Sequence, residues 1–229
     1  MTHAELRRQL ADALSMMERA EVIDFNGHMS CRMPGSGDIL INSGKSVRSA
    51  LAAEDIIAID LDGRPTEGDV APPMEFHLHS AIYRARPDVN AVAHTHPVWS
   101  TLFSSAGEPI LPVTMQAAVM GAVQSFPKTA SINNPTLAAE VAAALGPHRV
   151  MTLKSHGAVT VGGDIVETFV LAIYLEETAR RQYLARAIGT PYALTPAEVE
   201  TIGANLRRPN LLRKVWDYHH AKLRPHGRG

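Results

Sequence analysis

A layered fold of sheet and helix, α/β or α+β, is what this chain predicts, on three observations. Short apolar runs that read as strands gather in the middle of the sequence, and long helical periodicities lie at both ends and between them. The connections are too irregular for repeating β-α-β units, so a simple doubly wound sheet is not expected. With 229 residues and 45% hydrophobic content there is material for one sizeable core, and residues 1–229 read as one domain with a loose tail over 222–229.

In chain order, Leu6, Leu10, Leu14 and Met17 recur at helical spacing with charges between them, predicting an amphipathic helix over 4–20. Asn26-Gly27 marks a tight turn, and the alternation from His28 to Met33 predicts a strand. After a second turn at 34–38 come two short apolar strands, Ile39 to Asn42 and Ile56 to Asp60. Pro72-Pro73 precedes a helix over about 74–85, whose first turn carries Glu75. Pro87-Asp88 ends it, and Val89 to Ala93 favours an extended strand running into His94. Pro97 opens a helix through Ser105, a strand is expected near Ile110 to Thr114, and Asn134-Pro135 caps a helix that Gly146 stops. Two strands, 150–153 and 158–161, flank His156-Gly157. The longest helix runs from Asp164 to about Arg186, Thr195-Pro196-Ala197-Glu198 has the form of a capping box, and a short helix closes the chain over 211–219.

Composition narrows the function. The formal charge is −1 from 22 basic and 23 acidic residues, with no basic run interleaved with aromatics, so a nucleic-acid partner is not expected. One cysteine, Cys31, excludes an intrachain disulfide, and the opening residues lack the apolar core of a signal peptide. No run approaches the roughly 18 apolar residues of a membrane span. A cytoplasmic protein with no membrane partner is the expectation.

The chemistry centres on His94-Thr95-His96. Side chains two apart on a strand share a face, roughly 6 to 7 Å between their roots, so both imidazoles can converge on one ion. Neutral imidazole suits Zn, Mn, Fe or Co, and a catalytic ion usually takes three protein ligands. His94, His96 and His156 would supply that trio for one divalent ion per subunit, with Gly157 leaving space beside it. Glu75 reads as a fourth ligand, an acid-base group or both in turn, or else as a plain first-turn charge. His79, four residues on, is expected to support Glu75 through a hydrogen bond; His77 reads as structural or as a subunit contact. Asn42 to Arg48 forms a strand end and glycine turn in which Ser43, Gly44, Lys45 and Arg48 could cradle a small anionic substrate, against the alternative of a solvated loop. Lys154 and Arg32 are weaker candidates of that kind.

Glu75 with His79, the run Arg84 to Pro97 containing His94-Thr95-His96, and Ser155-His156-Gly157 together resemble the class II aldolase and adducin head-domain family, typified by fuculose-phosphate aldolase, over about residues 5–188. The resemblance implies a three-layer α/β/α fold around a mainly antiparallel sheet and a homotetramer with sites at subunit borders. It also implies a divalent metal on His94, His96 and His156, with Glu75 as the catalytic carboxylate. Two departures bear on the reaction. Sugar-phosphate aldolases of the family grip phosphate with a Gly-Asn-x-Ser turn and a Ser-Ser pair; here those positions read Gly27-His28-Met29-Ser30 and Pro73-Met74. The tyrosine they use as proton donor would fall near Met115, and no tyrosine lies between Tyr83 and Tyr174.

A histidine in that first turn resembles the metal-dependent decarboxylases of hydroxylated aromatic or pyridine dicarboxylates. In such an enzyme His28 would protonate the carbanion or bind a carboxylate, and Lys45 or Arg48 would hold the second acid group. The expected activity is therefore a metal-dependent carbon-carbon lyase acting as such a decarboxylase. The alternatives are an aldolase on a non-phosphorylated hydroxy-keto acid or sugar, a non-catalytic adducin-like interaction module, and an iron-dependent oxygenase.

Overall fold

A computed structural model of the protein describes residues 1–223. Its first half runs α1 (His3–Arg19), β1 (His28–Arg32), β2 (Ile39–Asn42), β3 (Ile56–Ile59), α2 (Phe76–Ala85), β4 (Ala91–Thr95) and α3 (Val98–Ala106). The second half runs α4 (Ala117–Met120), β5 (Val123–Phe126), α5 (Pro135–Leu145), β6 (Val150–Leu153), β7 (Gly157–Gly162), α6 (Ile165–Ile188), α7 (Pro196–Leu206) and α8 (Pro209–Ala221). The seven strands form one sheet in the order β3-β2-β1-β4-β7-β6-β5, antiparallel throughout except for β5 beside β6.

Strand alternation builds two cores, one on each face of the sheet. Leu40, Ala91 and Ala93 pack with Leu10, Leu14, Phe169 and Trp216 of α1, α6 and α8. Ile39, Ile41 and Val92 pack on the opposite face with Leu78 and Ile82 of α2 and Val141 of α5. The result is the expected three-layer arrangement around a mainly antiparallel sheet.

The caps explain where helices begin. Thr2 and Glu5 form a capping box on α1, Asn134 caps α5 ahead of Pro135, Asp164 caps α6, and Thr195 with Glu198 makes the box read from the sequence. The start of α3 has no cap of its own; the buried Glu176 carboxylate reaches across from α6 to accept the Trp99 and Ser100 N–H groups at 2.7 and 2.9 Å.

One expected strand is absent. Residues 110–113 join no strand ladder, because Pro109 and Pro112 interrupt the row of amide donors a ladder needs, and the Pro112 carbonyl accepts instead from Leu194 N–H at 2.9 Å. The Gln182 side chain satisfies this segment instead, accepting from Leu111 N–H at 2.8 Å and donating to the Pro109 carbonyl at 3.0 Å. The edge strand at this end of the sheet is β5, beyond the Gly121 turn. No helix among the described residues is long and apolar enough to cross a membrane. Lys222 and Leu223 form a turn after α8; the rest of the expected loose tail, from 224 on, lies outside the described residues.

Candidate metal centre

The sheet register assembles the site at one end of its middle strands. β1 and β4 pair with His28 opposite His94, so both rings lie on the α2 side, their centroids 5.0 Å apart. His96 stands just past β4, where its N–H donates to the Val22 carbonyl. His156 closes the three-residue turn between β6 and β7, which Ser155 enters with a φ of 52°. Glu75 stands at the N-cap position of α2 without a side-chain bond to its helix.

These four side chains meet. One ligand atom each from Glu75, His94, His96 and His156 lies within 4.8 Å of every other. The Nε2 atoms of His94 and His96 are 3.1 Å apart, and Glu75 oxygens lie 3.3 Å from His94 Nε2 and 3.8 Å from His156 Nε2.

The wiring behind the rings says what belongs between them. His94 Nδ1 faces the Ala158 carbonyl at 3.1 Å, an acceptor only, so the hydrogen of the neutral ring sits there and its Nε2 presents a lone pair. His96 Nδ1 faces an Asp24 carboxylate oxygen at 3.4 Å, which favours the same tautomer. Two lone pairs and a carboxylate converging at these distances repel one another unless a cation stands among them. A proton is a poor solution near neutral pH, because burial and then the neighbouring His94 lower the His96 pKa to about 4. Burial also lowers His156. Burial pushes the Glu75 carboxyl up, and a positive charge beside it, such as the adjoining His28 and His94 rings carry when protonated, outweighs burial and holds the group well below the usual carboxylate range. The donor set therefore fits a divalent ion of the kind that takes imidazole and carboxylate together.

A cavity of about 500 Å³ opens beside the cluster, lined by His28, Gly44, Arg48, Met74 and Ser131 with three of the four cluster residues. Of the anion cradle read from the sequence, Gly44 and Arg48 reach this cavity; Ser43 is buried beneath the turn, and Lys45 is exposed and outside the lining. Arg48 is 6% exposed, and its guanidinium donates to the Gly27 and Ser46 carbonyls and the Ser46 hydroxyl, all neutral oxygens. His79 does not bond Glu75 as expected. Glu75 lies ahead of the helix, so the four-residue spacing does not bring the two together, and His79 bonds His28 at 2.7 Å instead. His77 is half-buried against the Phe76 ring, Arg32 is bonded to backbone carbonyls, and Lys154 is exposed.

Sequence reasoning missed two partners. Asp24 backs His96, and Ser131 donates to Glu75 Oε1 at 2.9 Å beside the Ile132 N–H at 2.6 Å. Both come from irregular segments, where no periodicity marks a residue for the site. Gly157 leaves space beside the His96 ring, and more tightly still against the next strand. A Cβ there would lie 2.1 Å from the Thr95 carbonyl oxygen and 3.0 Å from the His96 ring, so the missing side chain makes room for the neighbouring strand. Gly157→Ala is expected to lose about 3 kcal/mol, at the upper end for an overpacked site, and to weaken zinc binding by parting His156 from His96. Urea unfolding and zinc titration would check both.

Comparison with known proteins agrees with this geometry. The family model described as class II aldolase and adducin N-terminal domain matches residues 8–183. A 3,4-dihydroxyphthalate decarboxylase from Arthrobacter keyseri is 33% identical over 196 residues, 78% of this chain and 78% of that protein. An L-fuculose phosphate aldolase from Methanococcus maripaludis is 30% identical over 169 residues, 74% of this chain and 91% of that protein. In fold, the chain superposes on the L-fuculose 1-phosphate aldolase from Glaciozyma antarctica with a TM-score of 0.85 at 23% identity, covering 96% of this chain and 89% of that one. With the family motif on the strands and turns that carry the imidazoles, the chain belongs to the class II aldolase and adducin N-terminal domain family, as one of its metal-dependent lyases.

Proposed function

We propose that the protein is a divalent-metal-dependent decarboxylase of a small hydroxylated aromatic or pyridine dicarboxylate, of the 3,4-dihydroxyphthalate kind. The observation that carries this reading is Arg48. A buried guanidinium hydrogen-bonded only to neutral oxygens, with Asp24 and Asp55 acting on its charge but not bonded to it, has Nη2 left to take an anion from the cavity that holds the Glu75 and histidine cluster. The cavity has room for one ring with its acid groups, and identity to the Arthrobacter keyseri enzyme supports the substrate class.

In this reading His94, His96, His156 and Glu75 would hold the ion, which when bound supplies a Lewis acid to withdraw electrons from a ring oxygen. Arg48 binds one carboxylate through a charge-assisted hydrogen bond and Gly44 lets the turn approach it. The other carboxylate, held by a hydrogen bond from His28 Nε2, departs as CO2, its bonding electrons stay on the ring carbon, and that carbon takes a proton from solvent. The product keeps one acid group. Arg48→Met is expected to raise KM about tenfold to hundredfold, the worth of one hydrogen bond to a charged group, with kcat little changed. The same reading assigns a cytoplasmic location and a homotetramer with sites at subunit borders, the assembly being tested by light scattering.

An aldolase acting on a non-phosphorylated hydroxy-keto acid or sugar is the second reading, favoured by the identity to the Methanococcus maripaludis enzyme. Incubating the metal-loaded protein with 3,4-dihydroxyphthalate, a hydroxypyridine dicarboxylate and a hydroxy-keto acid, and following CO2 against aldehyde, separates the two. Aldehyde without CO2 would end the decarboxylase reading.

A further inference from the structure

Between the sheet and α2 a buried line of four side chains leads away from the pocket. His28 Nδ1 and His79 Nε2 are 2.7 Å apart, His79 Nδ1 and the Ser30 hydroxyl 2.6 Å, and the Ser30 and Tyr83 hydroxyls 2.8 Å. None of the four residues is more than 4% exposed. Spacing explains the alignment: Ser30 is two residues from His28 on β1, and Tyr83 four from His79 on α2. We propose that this line fixes the tautomer of His28, with Ser30, held by Tyr83, acting as a positioning residue that leaves the His28 hydrogen on Nε2. His28 then meets the pocket as a hydrogen donor and stands outside the metal set.

Counting hydrogens gives the direction. The phenol of Tyr83 has one to donate, and among the described residues the Ser30 oxygen is the partner within hydrogen-bond reach. Any other orientation leaves a buried donor unmade, at its full desolvation cost. Ser30 therefore accepts from Tyr83 and gives its own hydrogen to His79 Nδ1. A ring that accepts at Nδ1 carries its hydrogen on Nε2, so His79 donates to His28 Nδ1, and by the same rule His28 carries its hydrogen on Nε2. Burial also pushes the Tyr83 phenol pKa well up, which keeps its hydrogen in place.

The consequence is a division of labour within one ring of imidazoles. His94 and His96 turn lone pairs inward, while His28, on the next strand, turns a hydrogen inward. Its Nε2 lies 3.7 Å from Glu75 Oε2, beyond hydrogen-bond length, so that hydrogen remains available to an anionic oxygen in the pocket. Only the identity of that ligand rests on the function proposed above; the tautomer does not.

Protein labelled with 15N in histidine, metal-free and zinc-loaded, tests this directly, because long-range proton-nitrogen spectra separate protonated from bare ring nitrogens. His28→Gln identifies the His28 signals. In both states His28 Nε2 is expected to be protonated and Nδ1 bare. In Ser30→Ala, which cuts the line and leaves the pocket groups in place, the His28 and His79 nitrogens are expected to move toward averaged values. A bare Nε2 in the wild-type protein, or His28 and His79 signals that stay put in Ser30→Ala, would overturn the assignment. No turnover enters these readings, so a missing decarboxylase activity and a wrong tautomer would be told apart.

Discussion

Replacing His94 with alanine is expected to leave a folded protein that binds a divalent ion about a hundredfold more weakly and no longer turns over substrate. His94 is the hub of the cluster: fully buried, 3.1 Å from His96 and 3.3 Å from Glu75. Zinc sites with four protein ligands are worth on the order of 12 kcal/mol, so one ligand contributes about 3 kcal/mol, or about a hundredfold in Kd. The protein should show this without any assay of turnover. At metal a hundredfold above its Kd the wild-type fold gains about 2.7 kcal/mol, which for a chain of this size raises Tm by about 5–10 °C. His94→Ala at the same metal concentration should gain nearly nothing. Its ion-free Tm is the control, because a truncated buried ring also leaves a cavity and an unpaired Ala158 carbonyl. An equal metal-induced rise in both proteins would place the ion elsewhere.

The parts of this site that could be read from sequence are those tied to a local rule. The spacing of His94 and His96 required only that Ala91 to Thr95 be extended, and the paired strands around His156 required only two short apolar runs with a tight turn between. The caps at Asn134 and Thr195 were legible for the same reason, since each spans three residues; the start of α3, bonded by Glu176 of α6, was not. What depended on distant segments was not. Asp24 and Ser131 reach the cluster from loops whose course is set by packing, and His79 turns to His28 across two elements. The strand expected at 110–114 shows the limit of an apolar run as a signal. A ladder needs donors as well as side chains, and two prolines with a single glutamine decided that segment.

Glu75→Gln separates holding the ion from doing chemistry beside it. Glutamine keeps the shape of the side chain and can still accept from the Ser131 hydroxyl and Ile132 N–H, which bond Oε1. It loses the charge of Oε2, the oxygen that faces His94 and His28. Weaker metal binding is one expected consequence, and adding metal overcomes it. The second is not overcome: if the carboxylate also moves a proton during turnover, kcat at saturating metal should fall about 10²–10⁴-fold, the usual share of a positioned acid-base group. Measuring kcat across a metal titration distinguishes the two roles. Full recovery of kcat at high metal would reduce Glu75 to a ligand, whereas a plateau far below wild type would give the carboxylate a part in the bond-breaking step itself.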